Sequence, residues 1–138
     1  MAQTIFLADT NILSACVKVT PDLQVMQWLQ SVALLAVSVV TVEEAHFGLA
    51  WQPNMRKLAL FNAMLERLHS VYPVTESIAR RAGILRGQFQ AQGITRSAPD
   101  MLIAATAQEH QLIVATRNVR DFTACGIQVV NPFEALSK

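Results

Sequence analysis

Ten of the 138 residues are acidic, and only four of these are aspartates: Asp9, Asp22, Asp100 and Asp121. Asp9 follows the apolar run Ile5-Phe6-Leu7-Ala8 and precedes Thr10-Asn11, while Asp100 opens the small, apolar stretch MLIAATA. Asp121 comes shortly after Leu112-Ile113-Val114-Ala115-Thr116, and Glu44 shortly after the run at 35–40. Apolar runs that end in polar residues read as buried strands reaching their carboxyl edge, where open parallel sheets gather their chemistry. Each acid also has a local explanation. Asp9 suits an Asx turn or N-cap, Thr41-x-x-Glu44 matches a capping box, Ser97-x-x-Asp100 nearly does, and Asp121 suits a solvated turn. Together they imply more, because Asp9, Glu44, Asp100 and Asp121 would converge on one sheet edge. Carboxylates sharing a pocket raise one another's pKa unless a cation lies among them. Hard oxygen donors with no His or Cys nearby suit Mg²⁺ or Mn²⁺, and the matching reaction class is phosphodiester hydrolysis.

Hydrophobic periodicity supplies the elements that would position these acids. Strands are expected at 5–8, 35–40, 71–74, 112–116 and 127–130, with Pro73 placing the third at an edge. Helices are expected at 11–17, after Thr20-Pro21-Asp22 with Thr20 as N-cap, and from Thr41 to about Trp51. Further helices are expected at 55–69, from a Thr75 cap to about Gln92 with Gly83 and Gly87 interrupting, and from Ser97-Ala98-Pro99 to about His110. Residues 117–122 read as a turn or short helix. Alternation of strand and helix defines an α/β class: one domain over 1–138, with a mainly parallel central sheet of about five strands flanked by helices.

Composition narrows the function. Hydrophobic residues make up 52% and charged residues 15%, so part of the surface is expected to meet a partner. The apolar side of the 55–69 helix is wider than one core contact needs, which suggests self-association. A net charge of +1 does not announce a polyanion binder, so any nucleic acid would need a local basic patch or a metal. Cys16 and Cys125 show no ligand spacing and fit a reducing compartment. With no apolar run long enough for a membrane span, and Asp9 interrupting the N-terminal stretch, the chain reads as cytoplasmic. His46, His69 and His110 form no motif. Lysines stand only at 18, 57 and 138, which disfavours a receiver-type phosphoacceptor, and Asn11 stands where a haloacid-type phosphatase needs a second aspartate.

Four segments, FLADTNILS, SVVTVEEAHFGL, APDMLIAATA and LIVATRNVRDF, resemble in order and spacing those of PIN-domain ribonucleases, most of all the toxins of VapBC and FitAB toxin–antitoxin pairs. The likeness runs from about Ile5 to Pro132. It implies a Mg²⁺-dependent endoribonuclease (Mn²⁺ substituting) neutralised by a small DNA-binding antitoxin, to stand beside the cytoplasmic location and homodimer expected above; related toxins act on tRNA or ribosomal RNA. It also implies metal-ligating roles for Asp9, Glu44 and Asp100, with Asn11 positioning the first acid and Thr116 as the hydroxyl residue ending the fourth strand. The fourth acidic position falls at Asn118 in some relatives and at Asp121 in others, and Asp121 supplies the charge here. The competing expectation is a non-catalytic module that keeps a PIN-like fold and uses its pocket only for binding.

Overall fold

The structure, a computed structural model, describes residues 3–134; the ends of the expected 1–138 domain, Lys138 included, lie outside the described residues. Five strands form one sheet, β1 (Ile5–Ala8), β2 (Leu34–Ser38), β3 (Ser70–Tyr72), β4 (Ile113–Ala115) and β5 (Val129–Val130). Their order is β3-β2-β1-β4-β5, and every neighbouring pair is parallel. Six helices accompany them: α1 (Thr10–Cys16), α2 (Leu23–Ser31), α3 (Val39–Trp51), α4 (Met55–Arg67), α5 (Glu76–Ala91) and α6 (Ala98–His110).

Both sheet faces are covered, which is why the strand sequences are almost wholly apolar. The two-residue alternation of a strand sends Leu7, Ala36 and Val114 into one core with Ile78, Phe89 and Met101. Ala8, Val37 and Ala115 enter the other core with Ile12, Leu13, Val25 and Phe61. The direction of sheet growth reverses at β1, since β2 and β3 add on one side and β4 and β5 on the other. Such a reversal leaves a crevice beyond the carboxyl ends of the two strands that flank it, here β1 and β4.

Several local boundaries depart from the sequence expectation. The third strand ends at Tyr72, before Pro73, the fifth begins only at Val129, and α4 ends at Arg67. Three further differences bear on the caps and helices. Asp22, not Thr20, caps α2: its side chain accepts from Val25 N, and Pro21 falls before the cap. The second strand stops at Ser38, whose side chain accepts from Val40 N, so Val39 and Val40 begin α3 despite their β-branched preference. A serine cap contributes about 1 kcal/mol, enough to outweigh two weak strand propensities. Gly83 and Gly87 do not interrupt α5, which is continuous from its Thr75 cap to Ala91. The apolar excess of α4 does remain outside: Met55 is 80% exposed and Leu60 39%, near the exposed Phe47 and Trp51 of α3 in sequence.

Candidate active site

Asp9 leaves the end of β1 and caps α1. Its Oδ1 accepts from Thr10 N at 2.8 Å, and its Oδ2 accepts from Thr116 Oγ1 at 2.9 Å and from Asn11 Nδ2 at 3.3 Å. Asp9 therefore caps α1 and still lines the cleft, so the cap reading does not exclude the site reading. Only 6% of its surface is exposed. Burial raises its pKa; the bonds from Thr116, Thr10 N and Asn11 pull the other way, and the charge of Asp121 adds to the rise. Asn11 ties the two central strands together: its amide group also donates to Thr116 Oγ1 at 3.2 Å, and its Oδ1 accepts from Arg117 N at 3.1 Å. Thr116, just past β4, is wholly buried and in turn accepts from Asn118 N at 3.0 Å.

Glu44 lies in the second turn of α3, because the helix starts at Val39. Thr41 is thus inside the helix and buried, with its hydroxyl lacking a hydrogen-bond partner, and the capping-box explanation of Glu44 falls. Freed from that task, Glu44 Oε1 accepts from Thr10 Oγ1 at 2.7 Å and points to the same cleft as Asp9.

Asp100 stands in the first turn of α6, whose cap Ser97 accepts from Asp100 N at 3.1 Å. Its carboxyl is pushed up to about 6, chiefly by burial; a bond with the Ser97 side chain opposes this, while the charges of Asp9, Asp121 and Glu44 add to it. Asp100 thus feels the charge of the other three acids, as a carboxylate at a shared edge does. A cleft of about 360 Å³ is lined by Asp9, Glu44, Asp100 and Asn118 together with Thr10 and Asn11. Asp121 sits one step aside, in the 3₁₀ turn Val119–Phe122, and lines an adjoining cleft that shares Arg117 and Asn118 with the first.

The donor set is all oxygen, half-buried and mutually repelling, which fits a hard divalent cation such as Mg²⁺ or Mn²⁺. Among the described residues, no three acidic, histidine or cysteine side chains are gathered closely enough to ligate one ion by themselves. A Mg²⁺ or Mn²⁺ ion that keeps several waters can be held by one or two direct carboxylates. Sequence reasoning missed Thr10, Ser14 and Lys18, which all line the cleft. Their spacing of four residues along α1 and just beyond it is the signal that could have revealed them. The histidines stay apart from the site: His46 bonds Val42 O and His110 stacks on Tyr72.

A parallel sheet with a carboxylate-lined cleft at its central switch point is a geometry that metal-assisted hydrolysis can use. The PIN domain family model matches residues 6–125. The chain is 34% identical over 134 residues to VapC ribonuclease Y4jK of Sinorhizobium fredii, covering 91% of this chain and 96% of that one. It is 33% identical over 135 residues to toxin FitB of Neisseria gonorrhoeae, covering 92% and 97%. Its fold superposes on the structure of FitAB bound to an IR36 DNA fragment with a TM-score of 0.83, at 31% identity, over 96% of this chain and 98% of that one. The chain belongs to the PIN-domain family, and its relatives there are toxins of the VapC and FitB kind. Among the described residues, no helix is long and apolar enough to cross a membrane.

Proposed function

We propose that the protein is a VapC-type toxin, an endoribonuclease that hydrolyses RNA phosphodiester bonds with Mg²⁺ or Mn²⁺ and is neutralised by a cognate antitoxin in the cytoplasm. The observation that carries this reading is the cleft at the switch point, where Asp9, Glu44 and Asp100 meet and Asp100 is driven to about 6 in part by its neighbours' charge. Of Asp9, Glu44 and Asp100, one or two would ligate the cation directly and the rest would reach it through water, with Asp121 adding negative charge from the side. When bound, the ion supplies the positive charge that activates water and polarises the phosphoryl oxygens.

The chain's own groups prepare that event. Thr10 works twice, fixing Asp9 through its N–H and aiming Glu44 through its hydroxyl. Thr116 and Asn11 hold the second oxygen of Asp9, so its remaining lone pairs are directed before any ligand arrives. Asn118, at the mouth, offers a neutral amide that can orient water or phosphate without adding charge. The exposed side chains of Phe47, Trp51 and Met55 support the accompanying reading that the chain forms a homodimer and takes a small DNA-binding antitoxin as partner.

The test is cleavage of RNA by purified protein free of any antitoxin. Expected is cleavage that requires Mg²⁺ or Mn²⁺, stops with EDTA and leaves 5′-phosphate and 3′-hydroxyl ends. Products ending in 2′,3′-cyclic phosphate, or EDTA-resistant cleavage, would overturn the mechanism. Metal-dependent RNA binding with no cleavage would favour the non-catalytic module instead.

A further inference from the structure

Three clefts run together across the carboxyl edge of the sheet. The central one shares Arg117 and Asn118 with the cleft beside the 3₁₀ turn, and shares Thr10, Ser14, Lys18 and Glu44 with a groove between α1, α3 and α4. Their volumes are about 360, 500 and 290 Å³ respectively. Asp9, Glu44 and Asp100 line the centre, with Arg117 and Lys18 at its two sides; Arg117 and Arg120 continue along one flank beside Asp121 and Glu134, and Lys18 and Lys57 along the other beside Glu44. Two ion pairs form among the described residues, Arg80 with Glu76 and Arg81 with Glu109, and both lie on α5 and α6 away from the clefts. The four flanking cations are in neither.

We propose that these clefts form one track for an RNA backbone, with the scissile phosphate at the carboxylates and the neighbouring phosphates held by Arg117 on one side and Lys18 on the other. This rests on the nuclease reading of the central cleft. A chain of net charge +1 gives a polyanion no general attraction, and the carboxylates at the centre repel it. Local cations on either side are what let a phosphate chain cross such a centre, and they position it without reading sequence.

Both flanks are held in place. The guanidinium of Arg117 lies 3.8 Å from the centre of the Phe133 ring, and its backbone N–H is fixed by Asn11, the residue that also bonds Asp9. Arg117 is therefore tied to the first acid through a single side chain. On the opposite flank, Arg56 of α4 donates at 3.0 Å to the carbonyl oxygens of both Val17 and Lys18. That grip fixes the backbone of Lys18, which lines both the central cleft and the groove. Beyond the 3₁₀ turn, Arg96 holds Asp121 O at 2.6 Å and Thr123 Oγ1 at 3.2 Å while covering the Phe89 ring, so it serves the turn rather than a phosphate.

The experiment measures binding of a fluorescent mixed-sequence RNA, and its cleavage, over a salt series for wild type, Lys18→Gln, Arg117→Gln, Arg117→Lys and Arg80→Gln. Lys18→Gln and Arg117→Gln are expected to raise KM and Kd roughly fivefold each, the upper range for one exposed charge contact, with kcat within about twofold. The slope of log affinity against log salt should flatten by about 0.7 for each contact removed. Arg117→Lys should recover most of the slope, because a phosphate contact needs the charge. Arg80→Gln, remote from the clefts, should behave as wild type. If wild type cleaves RNA while Lys18→Gln and Arg117→Gln keep its KM and salt slope, the track is wrong and the nuclease reading survives. Loss of inhibition by an antitoxin without change in RNA kinetics would overturn it too, marking the flanks as a protein contact. Salt-dependent RNA binding that both variants lose, with no cleavage by wild type, would keep the track and sink the nuclease. Wild type that neither binds nor cleaves RNA overturns both.

Discussion

Asp9 and Asp100 carry the same side chain to the same cleft, and burial raises the pKa of both, yet the protein holds them differently. Asp9 is 6% exposed and accepts from a backbone N–H, a hydroxyl and an amide group. Asp100 is only half-buried, has the Ser97 side chain as its one hydrogen-bond compensation, and is left at about 6 by burial and by three neighbouring acids. One carboxylate is built into the joint between β1, α1 and β4; the other hangs over the cleft from the first turn of α6. A site can hold like charges together if each is compensated differently, and here the compensated one also holds the fold.

The largest effect expected is on cleavage. Asp9→Asn and Asp100→Asn should each lower the rate by more than about a hundredfold, past the range typical of groups that only support a ligand. Single-turnover cleavage with saturating Mn²⁺ measures it, and near-normal activity in either variant would remove that residue from the cation's ligands.

Stability should then separate the pair. The simplest view, that removing either acid only relieves repulsion, does not survive the hydrogen bonds made by Asp9. Asp9→Ala loses the α1 cap and leaves Thr116 and Asn11 short of a partner inside the protein, a loss of about 2 kcal/mol. Asp100→Ala should cost nothing, or stabilise slightly. Urea unfolding in EDTA tests the contrast, and equal losses for both variants would erase it.

A third comparison concerns the side position. Asp121→Asn is expected to weaken Mn²⁺ affinity and rate about tenfold, since Asp121 adds charge from the adjoining cleft without a place in the central one. A Mn²⁺ titration of Asp121→Asn beside Asn118→Ala decides between them. Wild-type behaviour of the first with loss of activity in the second would move the fourth role to Asn118.

The smallest effect is on pH. Because the Asp100 carboxyl is raised from 3.8 to about 6 on folding, the native state binds its proton more tightly than the unfolded chain does. The metal-free protein therefore gains stability from this group as pH falls from 7 through 6 toward 4, and loses it as pH rises. Thermal melting at pH 7 and pH 5 should show that gain reduced in Asp100→Asn, whereas Mn²⁺ should shrink it in wild type by favouring the ionised form. A wild-type and Asp100→Asn pair with identical pH dependence would refute it.

Much of this protein was legible before folding was considered. Each of the five expected strands has its counterpart, because doubly covered parallel strands must be nearly continuous apolar runs, as Ile5–Ala8 and Ile113–Ala115 are. Asp9 was marked by the run it follows and Asp100 by the apolar stretch it opens, and the caps at Thr75 and Ser97 were visible because a hydroxyl before an apolar stripe acts within three residues. The cap at Ser38 was hidden, since two valines after it favour a strand locally. With it was hidden the reason that Glu44 is free to face the cleft.

Other features depend on residues that no local pattern connects. Thr10 meets Glu44 across 34 residues and Thr116 meets Asp9 across 107, and only the strand order that places β4 beside β1 creates the second contact. The same holds for Arg56 gripping the end of α1 and for Arg117 resting on Phe133. Sequence determines which segments are apolar, where chain direction changes and which acids follow the strands, because these follow from hydrophobic periodicity and hydrogen bonds a few residues long. Which acid is tied down by three hydrogen bonds, which overhangs the cleft with fewer, and which cations flank them was decided by tertiary structure, because burial and Coulomb interaction depend on distance in space rather than along the chain.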